Sequence, residues 1–126
     1  MAAGKYNFLV EQGADHVLTF TYSDNSNVAI PLKDMSIRMA VKDHISDSSY
    51  VYAATSDATI DTTFSEHFAI PAQEGETKGQ FILTIPSVTT SGFTFNQGVY
   101  DLELVENTSV TRLLEGKFKV KPNVTT

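Results

Sequence analysis

The chain is a succession of short runs in which apolar and polar residues alternate. In the run 98–105, Tyr100, Leu102 and Leu104 fall on one side and Asp101 and Glu103 on the other. Successive side chains of a strand point to opposite faces, so this is the pattern of a half-buried strand. The run 112–120 repeats it, with Leu114, Phe118 and Val120 against Glu115, Lys117 and Lys119. The polar stretch 106–111 turns the chain between them, and the two runs form a β-hairpin.

Parity sets the expected register. With even-numbered residues inward on both strands, pairing Leu104 with Leu114 sets Tyr100 against Phe118, Asp101 against Lys117 and Glu106 against Arg112. Each apolar or opposite-charge pair contributes about 0.2–1 kcal/mol. A register shifted by two residues pairs Leu102 with Leu114, brings Asp101 against Glu115 and leaves Gly98 against Phe118. The first is therefore expected, despite its Glu103–Glu115 pair. Gly116 then faces Leu102, and a glycine inside a strand marks a bulge or the close approach of another segment.

Earlier runs follow the same rule. Lys5 to Val10 predicts a strand with Tyr6, Phe8 and Val10 on one face, broken by the stretch 11–15. His16 to Tyr22 predicts a second, with Leu18, Phe20 and Tyr22 inward and Thr19 and Thr21 outward. A turn at 23–27 precedes a short edge piece at Val28 to Leu32, where Pro31 has no N–H to donate. Met35 to Lys42 sends Met35, Ile37, Met39 and Val41 inward. Further strands are predicted at Ser49 to Thr55, around Ile60, at Phe68 to Ile70 and at Gln80 to Ile85, the last burying Phe81, Leu83 and Ile85. Residues 73–79 form a loop, and 87–92 one helical turn or tight loop after Pro86.

Seven to nine short strands without a long amphipathic helix predict an all-β fold, an antiparallel sandwich, with a small closed barrel as the alternative. The lead-in to Tyr100 has the spacing of the tyrosine corner of immunoglobulin-like sandwiches, in which the hydroxyl bonds back to the corner backbone. Leu102 stands where such domains carry a buried Cys, so the core is expected to be apolar and unbridged. The 126 residues fit one domain, 1–126, with short ends at 1–4 and 121–126 expected to become ordered against a partner.

Charge and composition narrow the function. A net charge of −6 disfavours nucleic acid and anionic membranes as partners. No apolar run approaches a membrane span, and the first residues show no signal-peptide core, so synthesis and folding in a cytosol are expected. Without cysteine there is no disulfide, thiolate metal site or cysteine nucleophile.

Catalytic patterns fail one by one. His16, His44 and His67 are far apart and lack metal-ligand spacing. Asp61-Thr62-Thr63 has Thr where the aspartic-protease turn needs Gly. The oxygens of Asp24-Asn25-Ser26-Asn27 suit calcium, but their spacing is that of a surface turn, and Asp43 and Asp47 around His44 read the same way. Asp101, Glu103 and Glu115 form a carboxylate group on the outer face of the hairpin. A general acid needs a pKa raised by burial, whereas these alternate with solvent-facing positions beside Lys117. They are the wet face of a sheet or a face that meets another subunit. No catalytic, cofactor or metal residue is assigned, and the chain is not expected to be an enzyme.

The two ends carry a resemblance. Lys5-Tyr6-Asn7-Phe8-Leu9-Val10-Glu11-Gln12-Gly13-Ala14, then Tyr100-Asp101-Leu102-Glu103-Leu104, then Arg112-Leu113-Leu114-Glu115-Gly116-Lys117-Phe118 with Pro122 and Val124-Thr125, resemble small virion proteins of tailed bacteriophages. More distantly they are similar to the amino-terminal domain of phage baseplate upper proteins. The resemblance covers about the first 40 and last 30 residues and not the stretch 43–79. It implies an immunoglobulin-like β-domain with a structural or adaptor role in a virion. Its partners would be other virion proteins of tail, baseplate or capsid, or further copies of itself. The alternative function is a carbohydrate-binding sandwich displayed on the virion, stacking sugars on Tyr50, Tyr52, Phe93 or Phe95.

Overall fold

The computed structural model describes residues 4–59 and 63–122. Among these, nine strands form two sheets: β1 (Gly4–Lys5), β2 (Phe8–Glu11), β3 (His16–Thr21), β4 (Ser36–Lys42), β5 (Tyr52–Thr55), β6 (Phe68–Ala69), β7 (Gln80–Ile85), β8 (Gln97–Glu106) and β9 (Ser109–Lys121). The larger sheet runs β1/β2–β9–β8–β4–β5 and the smaller β3–β7–β6. A helical turn, α1 (Ser87–Thr90), carries the chain from the small sheet to the large one. The result is an all-β sandwich that does not close into a barrel. With β1 and β2 taken as one interrupted strand, the second, fifth and sixth strands of the chain are segregated from the rest, which is the strand order of an immunoglobulin-like fold.

The predicted faces hold where alternation is strict. Ile37, Met39 and Val41 of β4, Phe81, Leu83 and Ile85 of β7, and Tyr100, Leu102 and Leu104 of β8 are all buried between the sheets. Phe8 and Phe118, both fully buried, anchor the core. Phe8 packs on Tyr6, Tyr100 and Phe118 and, across the sandwich, on Phe20, and Phe118 packs on Phe93, Phe95 and Tyr52. Thr90 seats α1 by donating its hydroxyl to the Ala14 carbonyl and accepting the Gly13 N–H.

Other expectations need correction. The stretch 5–10 is not one strand: it breaks at Tyr6 and Asn7, leaving Tyr6 on the rim while Phe8 and Val10 are buried. Both pieces run parallel to β9, so the sandwich is not wholly antiparallel. The break faces Gly116, where an added Cβ would lie 2.3 Å from the Tyr6 carbonyl oxygen. Asn7 fills the gap in the ladder by accepting the Lys117 N–H on its side-chain oxygen. The Tyr100 hydroxyl donates to that same Tyr6 carbonyl at 2.6 Å, not to the corner backbone nearby in sequence.

Residues 28–32 form no strand, but Leu32 is fully buried, its N–H held by the Gln73 side chain. β5 starts only at Tyr52, so Tyr50 and Tyr52 do not share a strand face: Tyr52 is buried and Tyr50 exposed. Gly4 and Lys121 are paired within the chain's own sheet. The rest of the end segments expected to need a partner lies largely outside the described residues, as does the strand expected around Ile60.

The hairpin takes the register that charge pairing disfavoured. Leu102 faces Leu114, Asp101 faces Glu115, Gly98 faces Phe118, and Gly116 faces Tyr100 rather than Leu102. The turn is tighter than expected, with Glu106 opposite Ser109 and Asn107 in the left-handed region, at φ 55°, that Asn tolerates. From this turn Glu103 pairs with Arg112, and the register then shifts before Leu102 pairs with Leu114, leaving Leu113 as the extra residue of a β-bulge. Parity admits both registers, and facing charges chose between them wrongly; neither register contains the extra residue that offsets the pairs next to the turn.

Two substitutions test this packing. Leu102→Ala is expected to cost about 2–5 kcal/mol, and Gly116→Ala about 1–3 kcal/mol as an overpacking change against backbone. Lys119→Ala, exposed on the same strand, should stay within about 0.5 kcal/mol. Urea melts of the three variants measure this, and a neutral Gly116→Ala would contradict the close approach of the Tyr6 carbonyl.

Candidate functional site on the outer face of the large sheet

The bulge also builds the outer face. Residues three apart in a regular strand point to opposite sides, but the extra Leu113 brings Arg112 and Glu115 onto the same side. Three rows then cross β4, β8 and β9. Arg38, Glu103 and Arg112 form the first; Ala40, Asp101 and Glu115 the second; Lys42, Val99 and Lys117 the third. In the first, Arg38 Nε donates to Glu103 Oε1 at 2.9 Å. In the second, two carboxylates stand side by side, and Arg112 bridges them, 3.3 Å from Asp101 and 4.0 Å from Glu115. Lys5 of β1 closes on Glu115 from the far side.

These rows floor an open groove of about 770 Å³ whose rim includes Ile45, Tyr50 and Phe64. Tyr50 and Phe64 meet edge to face at 5.6 Å, and Lys42 Nζ lies 5.8 Å from the centre of the Tyr50 ring, within cation–π range. Four cations and three carboxylates line the groove, on a chain whose net charge is −6. Among the described residues Lys117 has no ion-pair partner.

Burial pushes the Asp101 carboxyl above its usual range, and the neighbouring Glu103 and Glu115 add to this; Arg112 and Arg38 only partly offset it. Glu115 moves the other way because Lys5 bonds to its carboxylate. The carboxylate group read from the sequence is therefore one electrostatic cluster, bound up with three cations that sequence spacing did not associate with it. Phe64 and Arg38 were missed as well. Only their positions after folding, Phe64 next to Ser65 along the β5 edge and Arg38 on the outward parity of β4, bring them here.

The other candidates lie elsewhere. The Asp24 carboxylate is occupied within its own turn, accepting the Ser26 and Val28 N–H groups. Asp47 likewise accepts the His44 N–H. Asp61 and Thr62 are outside the described residues. Among the described residues no group of three or more His, Cys, Asp or Glu side chains is arranged to hold a metal ion. Tyr52 and Phe93 are core residues and Phe95 packs half-buried against them, so of the four proposed sugar-stacking rings only Tyr50 faces solvent.

The three histidines have separate fates. His44 is exposed. The Tyr52 hydroxyl bonds His67 Nδ1 at 2.6 Å with the rings stacked, and His16 Nε2 is enclosed against Phe8 with no hydrogen-bond partner among the described residues. Burial lowers the pKa of both His16 and His67 below the ordinary value of 6.5.

No protein-family model and no curated protein matches the chain. Among solved structures, it aligns over 97% of its length with 13% of an endo-fucoidan hydrolase of glycoside hydrolase family 107, at 10% identity and a TM-score of 0.47. It aligns over 98% of its length with 97% of the extracellular domain of the voltage-gated sodium channel beta4 subunit, at 10% identity and a TM-score of 0.46. That structure was described as a parallel homodimer with a role in cell–cell adhesion. The chain thus spans about an eighth of the hydrolase it aligns with.

Two pH responses follow. A carboxyl whose folded pKa is raised favours the fold while protonated and loses that contribution as pH rises through the carboxylate range. Asp101→Asn should therefore raise the denaturation midpoint at about pH 7, an advantage that shrinks towards about pH 3; a lowered midpoint at neutral pH would mean that the Arg112 contact dominates. Histidines with lowered folded pKa values act oppositely, since the unfolded chain takes up protons first as pH falls through 6.5. The midpoint should drop between about pH 7.5 and 5, and His16→Gln with His67→Gln should flatten that drop. An unchanged slope would place the titration elsewhere.

Proposed function

We propose that the chain is a non-catalytic assembly module, a structural or adaptor protein of a tailed-phage virion, that meets a neighbouring virion protein through the outer face of its large sheet. The observation that carries the reading is the third row of that face. Lys42 and Lys117 flank it with no carboxylate between them, beside the solvent-facing Tyr50, on an otherwise acidic chain. Tyr and Arg, here Tyr50, Arg38 and Arg112 of the same groove, are enriched at protein interfaces, and lysines at the rim steer an oppositely charged partner. An acidic surface on the partner would complete the row.

The resemblance at the two ends supports the virion setting. Its segments are the ones that build the β1/β2–β9–β8 part of the large sheet, so the similarity concerns one folded unit and not scattered residues. The sugar-stacking alternative lost most of its aromatic residues to the core.

The test is incorporation into particles. A chain carrying Lys42→Glu with Lys117→Glu is expected to fold with an unchanged circular dichroism spectrum, and its copy number in purified virions should fall at least about tenfold, as for loss of a hot-spot contact. Incorporation at the wild-type level would contradict docking through this face. Absence of the wild-type chain from purified particles would contradict the virion reading itself.

A further inference from the structure

Four sheet edges are open to solvent in principle, and three are protected. The β1/β2 edge is interrupted at Tyr6 and Asn7 and bears Lys5 and Glu11. The β5 edge is covered by the segment at Ser65, which exchanges backbone bonds with Ala53 and Thr55. β6 is two residues long. Such interruptions, charges, covers and short strands are the means by which natural sheets avoid pairing with other chains. β3 has none of them. Its six residues, His16-Val17-Leu18-Thr19-Phe20-Thr21, include no Lys, Arg, Asp, Glu, Pro or Gly, and among the described residues β7 is its only neighbour in the sheet.

The phase of the hydrogen bonds shows which groups are unused. Tyr22 N–H donates to the Gly79 carbonyl across the β3–β7 pair. Thr84, opposite Val17, sends its N–H the other way, to His67. Even-numbered residues of β3 therefore bond to β7, and the N–H and C=O groups of Val17, Thr19 and Thr21 point outward. Among the described residues nothing bonds to them. The core-side residues of the same strand are also incompletely covered: Leu18 and Phe20 are half-buried, whereas Leu83 and Phe81 opposite them are buried.

We infer that β3 is a self-pairing edge, joining two copies of this chain by antiparallel β3–β3 addition about a two-fold axis at Thr19. Centring on Thr19 sets Val17 against Thr21 of the partner and Leu18 against Phe20 of the partner. The three residues with outward backbone groups then face one another, as a hydrogen-bonded ladder requires. On the outer face this gives Thr–Thr and Val–Thr pairs, and on the core face it covers the two half-buried apolar residues. A strand without charge meets no like charge when paired with itself, and an isologous contact needs one self-complementary patch. The two small sheets merge into one six-stranded sheet. This pairing is independent of what the assembled chains build, and it leaves the groove on the opposite sheet free.

Sedimentation equilibrium of the wild-type chain is expected to give the mass of two 13.8 kDa chains. Thr19→Pro removes the central outward N–H, a change that an edge strand accommodates. Thr19→Lys places two ammonium groups across the axis. Each is expected to halve the mass, and Lys117→Glu to leave it unchanged. Because the chain has no cysteine, Thr19→Cys offers a positional readout. Facing Cα atoms would lie about 5.5 Å apart, inside the about 4.4–6.8 Å disulfide range, so mild oxidation should give a covalent dimer, while Val17→Cys should not. A wild-type monomer, a dimer indifferent to Thr19→Lys, or equal cross-linking from both cysteine positions would overturn the inference.

Discussion

The structure depends on the contact between a backbone carbonyl and a glycine. The carbonyl of Tyr6 comes so close to Gly116 that no side chain fits between them, and its oxygen accepts the Tyr100 hydroxyl. Three strands are fixed by that one point. The first strand is broken there, β9 is held beside it, and Tyr100 of β8 ties the facing position of the hairpin to both. The hydroxyl of Tyr100 is kept protonated by burial, its pKa raised well above the ordinary value of 10.0. Satisfying a buried polar group in this way avoids a penalty of about 1–3 kcal/mol.

That constraint reaches the outer face through the bulge. Gly116 must lie opposite Tyr100 for the contact to form, whereas the tight turn at Asn107 starts the hairpin one residue out of phase. Leu113 absorbs the difference. Its extra residue turns Arg112 to the same side as Glu115, where it bridges the carboxylates of Glu115 and Asp101. The register looks poor as a list of facing charges, yet Arg112 and Lys5 satisfy them from positions that pairwise facing does not consider. The same defect in the ladder thus settles a packing conflict and creates the charged groove.

Much of this was legible from alternation. The inward faces of β4, β7 and β8 and the helical turn after Pro86 follow from period-two patterning and one proline, because each strand buries one face against a common core. Tyr52 and Tyr50 show where the reading ends: two residues apart, they share a strand face only if the strand reaches both, and nothing local says that it begins at Tyr52. Leu32 is another case, since its burial depends on Gln73 holding a strandless segment in place. The parallel pairing of β1 and β2 with β9, over more than a hundred residues, has no local signature. For the candidate site, Asp101, Glu103 and Glu115 were visible as an outward group, but Arg38, Tyr50 and Phe64 join it only through sheet order.

We propose that the chain docks on a neighbouring virion protein through this outer face. Covalent labelling of side chains, read by mass spectrometry on the free chain and on the chain within purified particles, tests it directly. The account predicts that Lys42, Tyr50 and Lys117 react in the free chain and are protected in the particle, while Lys33 and Lys78, away from the face, react alike in both. Equal labelling of Lys42, Tyr50 and Lys117 in the two states would contradict it.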